Sequence, residues 1–162
     1  MLIIREKDFT KAREKIKKTK EPIVFSSDDD ELNRKILEKE KIDFLLLNQA
    51  ERRDKLKQRN SGLNHVLAKI AKKKNTAIGI NLDEIIESKG KNKAEILARV
   101  MQNIKLCNKS KLKMKFITTN EKNNAKIKDF GSSDKMSNER NIKDLKSLGS
   151  VLGMPTWMTK NL

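Results

Sequence analysis

Short β-branched apolar runs alternate along this chain with longer stretches whose apolar residues recur every three to four positions. Residues 2–4 predict a first strand. A helix over residues 8–18 follows, with Phe9, Ala12 and Ile16 on one stripe, and residues 22–25 form the second strand. Ser26 or Ser27 then offers an N-cap, and Asp28, Asp29, Asp30 and Glu31 place negative charge on the first turn of the next helix, where the helix dipole favours it. Residues 42–47 are almost continuously apolar, as expected of a strand buried on both faces of a parallel sheet. Residues 49–59, QAERRDKLKQR, read either as a short exposed helix or as a long βα loop.

The best-defined helix spans residues 61–73, with Leu63, Val66, Leu67, Ile70 and Ala71 on the i, i+3, i+4, i+7, i+8 stripe. A fourth strand covers residues 76–81. A second strong helix runs over residues 93–108, with Leu97, Val100, Met101, Ile104 and Cys107 facing the core, and KMKFIT at residues 113–118 gives a fifth strand, at an edge or with a solvated end. Residues 120–137 have little periodicity and are expected to form a mobile loop. The last helix, residues 138–152, carries Ile142, Leu145, Leu148 and Leu152, and Gly153 followed by Pro155 stops it. Strands alternating with helices require crossovers, and crossovers of this length mean parallel pairing, so the class is α/β. A closed eight-unit barrel needs more than roughly 200 residues. Residues 1–162 are therefore expected to be one βα domain, either an open sheet or an incomplete barrel.

Composition narrows the function. With 38 Lys and Arg against 22 Asp and Glu the net charge is +16, and a mean hydropathy of −0.74 excludes a chain built to sit within a bilayer. One cysteine, Cys107, leaves no internal disulfide, and the start MLIIREKDF reaches a charge after three apolar residues and so does not read as a signal peptide. A cytoplasmic location with no membrane partner is expected. Residues 1–60 carry 17 basic and 13 acidic side chains, so +12 of the charge lies beyond them, much of it at residues 88–128, where 12 basic residues face only Glu95 and Glu121. Such a block attracts a polyanion, and RNA or DNA is the leading partner. Lysine outnumbers arginine and aromatic residues are scarce, which favours phosphate and shape contacts over base reading or stacking.

No phosphate-binding loop, dinucleotide fingerprint, nucleophile elbow, CxxC or HExxH occurs. His65 is the only histidine. With Arg59 and Ser61 it could form an anion contact at a helix N-terminus, or it could be an ordinary surface histidine; both readings stay open. The acidic run Asp28–Asp30 is better explained by capping than by a metal, since no histidine or cysteine lies nearby in sequence.

The stretch RNSGLNHVLAKIAKKKNTAIGINLDEI, residues 59–85, resembles ribonuclease P protein component 3, the archaeal and eukaryotic subunit of the tRNA-processing ribonucleoprotein, in which an SG(I/L)(D/N)HVLA-type helix enters a strand ending in AI(E/G)(I/L)N. The order of the later elements, ending in DLKSLGSVLG, matches too, so the resemblance covers residues 22–155 and is most specific at residues 61–81. It implies a TIM-barrel-like fold, here lacking about two βα units at its front. It also implies a non-catalytic protein subunit that helps a catalytic RNA, with its own Mg2+, remove the 5′ leader from precursor tRNA. The implied partners are the ribonuclease P RNA, precursor tRNA and ribonuclease P protein component 2, the last in a two-plus-two assembly. Of the family motif only Ser61, Gly62 and His65 carry over, without a chemical role. The RNA-contact candidates are Arg59, Ser61, His65, Lys69, Lys109, Lys111, Lys113 and Lys115; no catalytic or metal-binding residue is assigned. The competing readings are a metal-dependent phosphoesterase of the same barrel superfamily, using Asp28, Asp29, Asp30, His65 and Asp83, and a basic RNA-binding structural protein.

Overall fold

Five parallel strands pair in the order in which they occur along the chain, and a helix or a helical connection leads from each to the next. The computed structural model describes residues 1–119 and 135–160, with the side chains of the last segment described from residue 142. The elements are β1 (Leu2–Arg5), α1 (Phe9–Lys18), β2 (Ile23–Ser26), α2 (Asp30–Lys39), β3 (Phe44–Leu46), α3 (His65–Lys74), β4 (Ala77–Asn81), α4 (Leu82–Glu87), α5 (Gly90–Lys109), β5 (Met114–Ile117), α6 (Lys135–Val151) and α7 (Thr156–Thr159).

Sequential order has a geometric consequence. Crossovers between neighbouring parallel strands are right-handed, which puts every helix on the same face of the sheet and leaves the other face to close on itself. The packing follows that rule. Ile4, Ile23, Phe25, Leu45, Leu47, Ile78, Ile80, Met114 and Phe116 join the helices in one large core, which includes Ala12, Ile36, Ala68 and Ile104. The alternate residues Val24, Leu46 and Ile117, with Ile3 and Phe44 packed against them, form a second cluster drawn from strands alone. Burial of β3 on both faces, expected from its apolar run, holds. The arrangement is an arc of a TIM-barrel-like fold, with β1 and β5 at its two edges.

Several boundaries differ from the sequence expectation. The cap of α2 is Asp29, which accepts from the Glu31 N–H; Ser27 instead accepts from the Asp29 N–H. Helix α3 starts at His65 rather than at residue 61, because Gly62 sits at φ +72° and Asn64 is the cap, accepting from the Leu67 N–H at 2.8 Å. Val66 is consequently 44% exposed, not core, and Met101 (41%) and Ile142 (43%) likewise face out. Residues 49–59 form a loop with an isolated bridge between Lys55 and Gln58. Helix α5 begins three residues earlier than expected, and α4 and α7 were not anticipated. Of the stretch expected to be a mobile loop, residues 120–134 lie outside the described residues, and the chain is helical from Lys135. Gly153, at φ +92°, does end the last long helix.

Candidate nucleic-acid interface

Because the strands are parallel, every connection from a helix into the next strand emerges at the same end of the sheet. Those connections and the helix ends that lead into them hold Lys17 and Lys18 closing α1 and Lys20 after it, Lys39 closing α2 and Lys41 after it, Lys72, Lys73 and Lys74 closing α3, and Lys109 closing α5 with Lys111 and Lys113 before β5. The strand order makes the four connections neighbours, so residues far apart in sequence share one basic rim. A direct contact confirms part of it: Lys72 Nζ donates to the Lys111 carbonyl at 2.7 Å, so α3 and the α5–β5 turn meet. Lys111 itself adopts φ +51° and holds its Nζ 5.5 Å above the Trp157 ring. Lysines in the last turn of a helix complement its dipole, which accounts for Lys17, Lys18, Lys72, Lys73, Lys74 and Lys109. That account does not reach Lys20, Lys41, Lys111 and Lys113, which lie beyond the helix ends.

The sequence-derived candidates divide among four places. Lys109, Lys111 and Lys113 lie exposed on the rim. Arg59, Ser61 and His65 come together at the opposite end, around a shallow cavity of about 330 Å³ at the start of α3. There Arg59 and His65 are exposed, but Ser61 is 1% exposed with its hydroxyl turned to the Leu63 carbonyl, while its own carbonyl accepts from Gln49 Nε2. Lys69 is exposed on the outer face of α3. Lys115 projects from β5 with its Nζ 6.0 Å above the Phe44 ring, on the inward face of the sheet. Arg99, one of the 12 basic residues of the charged block, is withdrawn from any surface role. It is 2% exposed, paired with Asp54 at 2.8 Å and Glu95 at 3.5 Å, and donates to the Gln49 carbonyl at 2.9 Å.

At the end of the sheet where the strands finish, the inward column of each strand turns polar: Arg5 follows Ile3, Ser26 follows Val24, Asn48 follows Leu46, Asn81 follows Gly79 and Thr119 follows Ile117. Asn81 Nδ2 donates to Asn48 Oδ1 at 3.1 Å, and Arg5 Nη2 donates to Thr119 Oγ1 at 2.7 Å. Sequence reasoning missed this layer, since each member ends a different strand and none belongs to a motif. Three of the four carboxylates of the phosphoesterase reading serve structure: Asp29 caps α2, Asp30 pairs with Arg52 through two bonds of 2.9 and 2.7 Å, and Asp83 accepts from Thr119, while Asp28 is exposed. Among the described residues no group of three His, Cys, Asp or Glu is placed to hold a metal ion, and no helix is long and apolar enough to cross a membrane.

No family model matches the chain. Over 104 residues it is 29% identical to the ribonuclease P protein component 3 of Methanococcus vannielii and 26% identical to that of Methanococcus maripaludis strain C7, each match covering 64% of this chain. The chain spans less than half the length of these curated relatives, 42%. It also superimposes, with a TM-score of 0.69 and 23% identity, on a chain in the cryo-EM structure of archaeal ribonuclease P with mature tRNA, over 98% of its own length and 62% of the other. The sequence likeness is thus to the family read from residues 22–155, and the fold is shared with a chain of that assembly.

Proposed function

We propose that this chain acts as a component 3-type protein subunit of ribonuclease P, assisting a catalytic RNA in removing the 5′ leader of precursor tRNA. The likeness to proteins of that name supports the assignment. The observation that carries the mechanism is the lysine rim, where four successive connections bring cationic side chains to one end of the sheet. Lysine is a strongly hydrated point charge, suited to neutralising phosphates rather than to reading base edges. Each phosphate neutralised releases a counterion, which lowers repulsion between RNA segments that must approach one another. Magnesium ions held by the RNA would supply the hydrolytic chemistry; the described residues of this chain provide no ligand cluster for them.

Contacts with the RNA would be made by Lys109, Lys111 and Lys113 together with Lys72, and from the opposite end by Arg59 and His65, with Lys69 between. Ser61 would act through its buried hydrogen bonds, positioning the loop that carries Arg59 and His65. The chain works as one βα domain in the cytoplasm, where its single buried thiol needs no oxidised partner. Ribonuclease P protein component 2 is the protein partner, in a two-plus-two assembly, and the sheet edges at β1 and β5 are the places left for additional strands.

Reconstituted precursor-tRNA cleavage tests the assignment. With the cognate RNA and component 2 present, adding this chain is expected to lower the magnesium requirement and raise the cleavage rate. No stimulation under those conditions overturns it.

A further inference from the structure

The polar layer at the mouth of the barrel opens on a cavity of about 460 Å³, within the size range of small-molecule sites. Its lining includes an unsatisfied hydroxyl: Ser26 is 1% exposed, and its Oγ, itself buried, has no partner among the described residues. Buried hydroxyls are ordinarily paired, so this one is set to meet a group that enters from the cavity.

The cavity is lined by side chains of both signs. On the β1–α1 side the two acids are already engaged, Glu6 with Lys15 and Asp8 with the Lys11 N–H as the α1 cap. Lys7 and Lys11 stand there as cations together with Arg5, whose Nη2 already donates to Thr119 and whose other N–H groups are left for a ligand. Asp28 and Glu84 also line the cavity, near enough to each other for the Asp28 charge to act on Glu84. Glu84 accepts from the Gln49 and Ala50 N–H groups at 2.8 and 3.2 Å, and its carboxyl is pushed up from the ordinary value, first by burial and in smaller part by the neighbouring Asp28 charge. A carboxylate short of solvent gains from hydroxyl donors, and vicinal ribose hydroxyls are donors that acidic side chains commonly hold. A ligand that carries phosphate at one end and a diol a few bonds away satisfies the cations and the carboxylates of this lining at once.

We propose that the barrel mouth binds a ribonucleotide, with its phosphate against Arg5, Lys7 and Lys11, its ribose hydroxyls on Asp28 and Glu84, and the Ser26 hydroxyl completing the contacts. The ligand is either a free mononucleotide or the phosphorylated end of an RNA. The site stands apart from the lysine rim and does not depend on the ribonuclease P assignment, so its failure would leave the precursor-tRNA experiment untouched.

Titration calorimetry on the full chain with AMP, dAMP and inorganic phosphate tests it. AMP is expected to bind about tenfold more tightly than dAMP, the size of one missing charge-assisted hydrogen bond, and by a larger factor than inorganic phosphate, which lacks both hydroxyls. Ser26→Ala should weaken AMP severalfold, and Glu84→Gln should bring AMP and dAMP towards equal affinity. A 5′-phosphorylated oligoribonucleotide distinguishes the sources: tighter binding than AMP identifies an RNA end, weaker binding a free nucleotide, and either upholds the site. Equal affinity for AMP, dAMP and phosphate would overturn the proposal, as would no detectable AMP binding, or undiminished AMP binding by a Ser26→Ala chain whose circular dichroism shows it folded.

Discussion

The Arg5 guanidinium donates to the Thr119 hydroxyl across the barrel mouth at 2.7 Å, and that hydroxyl donates in turn to Asp83 Oδ2 at 3.0 Å. Arg5 ends β1 and Thr119 follows β5, so the two edge strands of the sheet, which share no backbone ladder, are joined through side chains. The Thr119 N–H also donates to Asp83, at 2.6 Å. Replacing Thr119 by Val keeps the shape, removes the acceptor for Arg5 and deprives a buried aspartate of one donor. A loss of about 1–3 kcal/mol is expected in urea unfolding, against about 1 kcal/mol or less for Arg5→Met, whose side chain is exposed. If Thr119→Val unfolds at the parent midpoint, the bridge does not hold the edges.

Arg99 is the structural centre of the long loop before α3. Its guanidinium meets Asp54 and the Gln49 carbonyl, 45 and 50 residues earlier in the chain. Arg99→Ala is expected to cost about 3–5 kcal/mol, because it both strands the partners of a buried cation and empties its volume. Arg99→Lys should recover little, since one ammonium cannot reproduce the fork. The hydrogen bond from Arg99 also holds the Asp54 carboxyl below its ordinary value. A depressed carboxylate stabilises the fold above its unfolded value, near 4, and that contribution is lost as pH falls through the lower folded value. Unfolding measured from pH 6 down to pH 2 should therefore show an acid limb that is shallower in Arg99→Met than in the parent.

Much of the architecture was legible because each helix buries one stripe and each strand alternates between two cores. Ala12 and Ile16 on α1, Ile104 and Cys107 on α5, and the continuous run of β3 all fell where their periodicity placed them. Val66 did not, because a stripe counted from Leu63 presumes helix where Gly62 takes φ +72° and Asn64 delays the first turn. Arg99 was counted in the charged block of residues 88–128 because its burial is decided by Asp54 and Gln49, which no local pattern connects to it. The mouth residues Arg5, Ser26, Asn48, Asn81 and Thr119 were invisible for a related reason. Each is one polar residue at the end of its strand, and only the parallel register gathers them.

Gly79 sits on the inward face of β4 where no side chain fits. A β-carbon there would stand 2.8 Å from Ile117 Cδ1 and 3.0 Å from Leu46 Cδ1, two members of the strand-only core. Its backbone needs no positive φ, so the constraint is purely steric. Gly79→Ala is expected to destabilise by about 1–3 kcal/mol through overpacking. The double variant Gly79→Ala/Ile117→Val removes the methyl group in the way and should regain part of that stability. Additive effects in a double-mutant cycle would refute the contact.

Cys107 tests the packing of α5 against the sheet. It is fully buried, and desolvation pushes its thiol up to about 12. At pH 8 almost no thiolate is present in the folded state, so a thiol-specific reagent should react only as fast as the chain opens. Labelling should be slow in buffer and rapid in denaturing urea. In alkali the thiol is a liability: its stabilising contribution is complete below the unfolded value near 9 and is lost as pH rises through 12. Rapid labelling of the folded chain at pH 8 would show that this part of the core is open.

The lysine rim makes the sharpest functional prediction, because its geometry separates it from the other basic residues. Lys109, Lys111 and Lys113 lie beside Lys72 on one end of the sheet, whereas Arg59 and His65 lie at the other. Reversing the three lysines to glutamate changes the charge by six units at one place, and among the described residues the Lys111–Trp157 cation–π contact is the one side-chain interaction it removes. RNA affinity at low salt should fall by more than about 100-fold. The slope of log K against log salt should also become shallower by roughly 0.7–0.9 for each phosphate that is no longer neutralised. Lys111→Met, which removes the charge and with it the cation–π contact while keeping an apolar side chain beside Trp157, should reduce the slope by the share of a single phosphate. An unchanged slope in the triple variant would remove the rim from RNA recognition and move the binding surface to the end that carries Arg59 and His65.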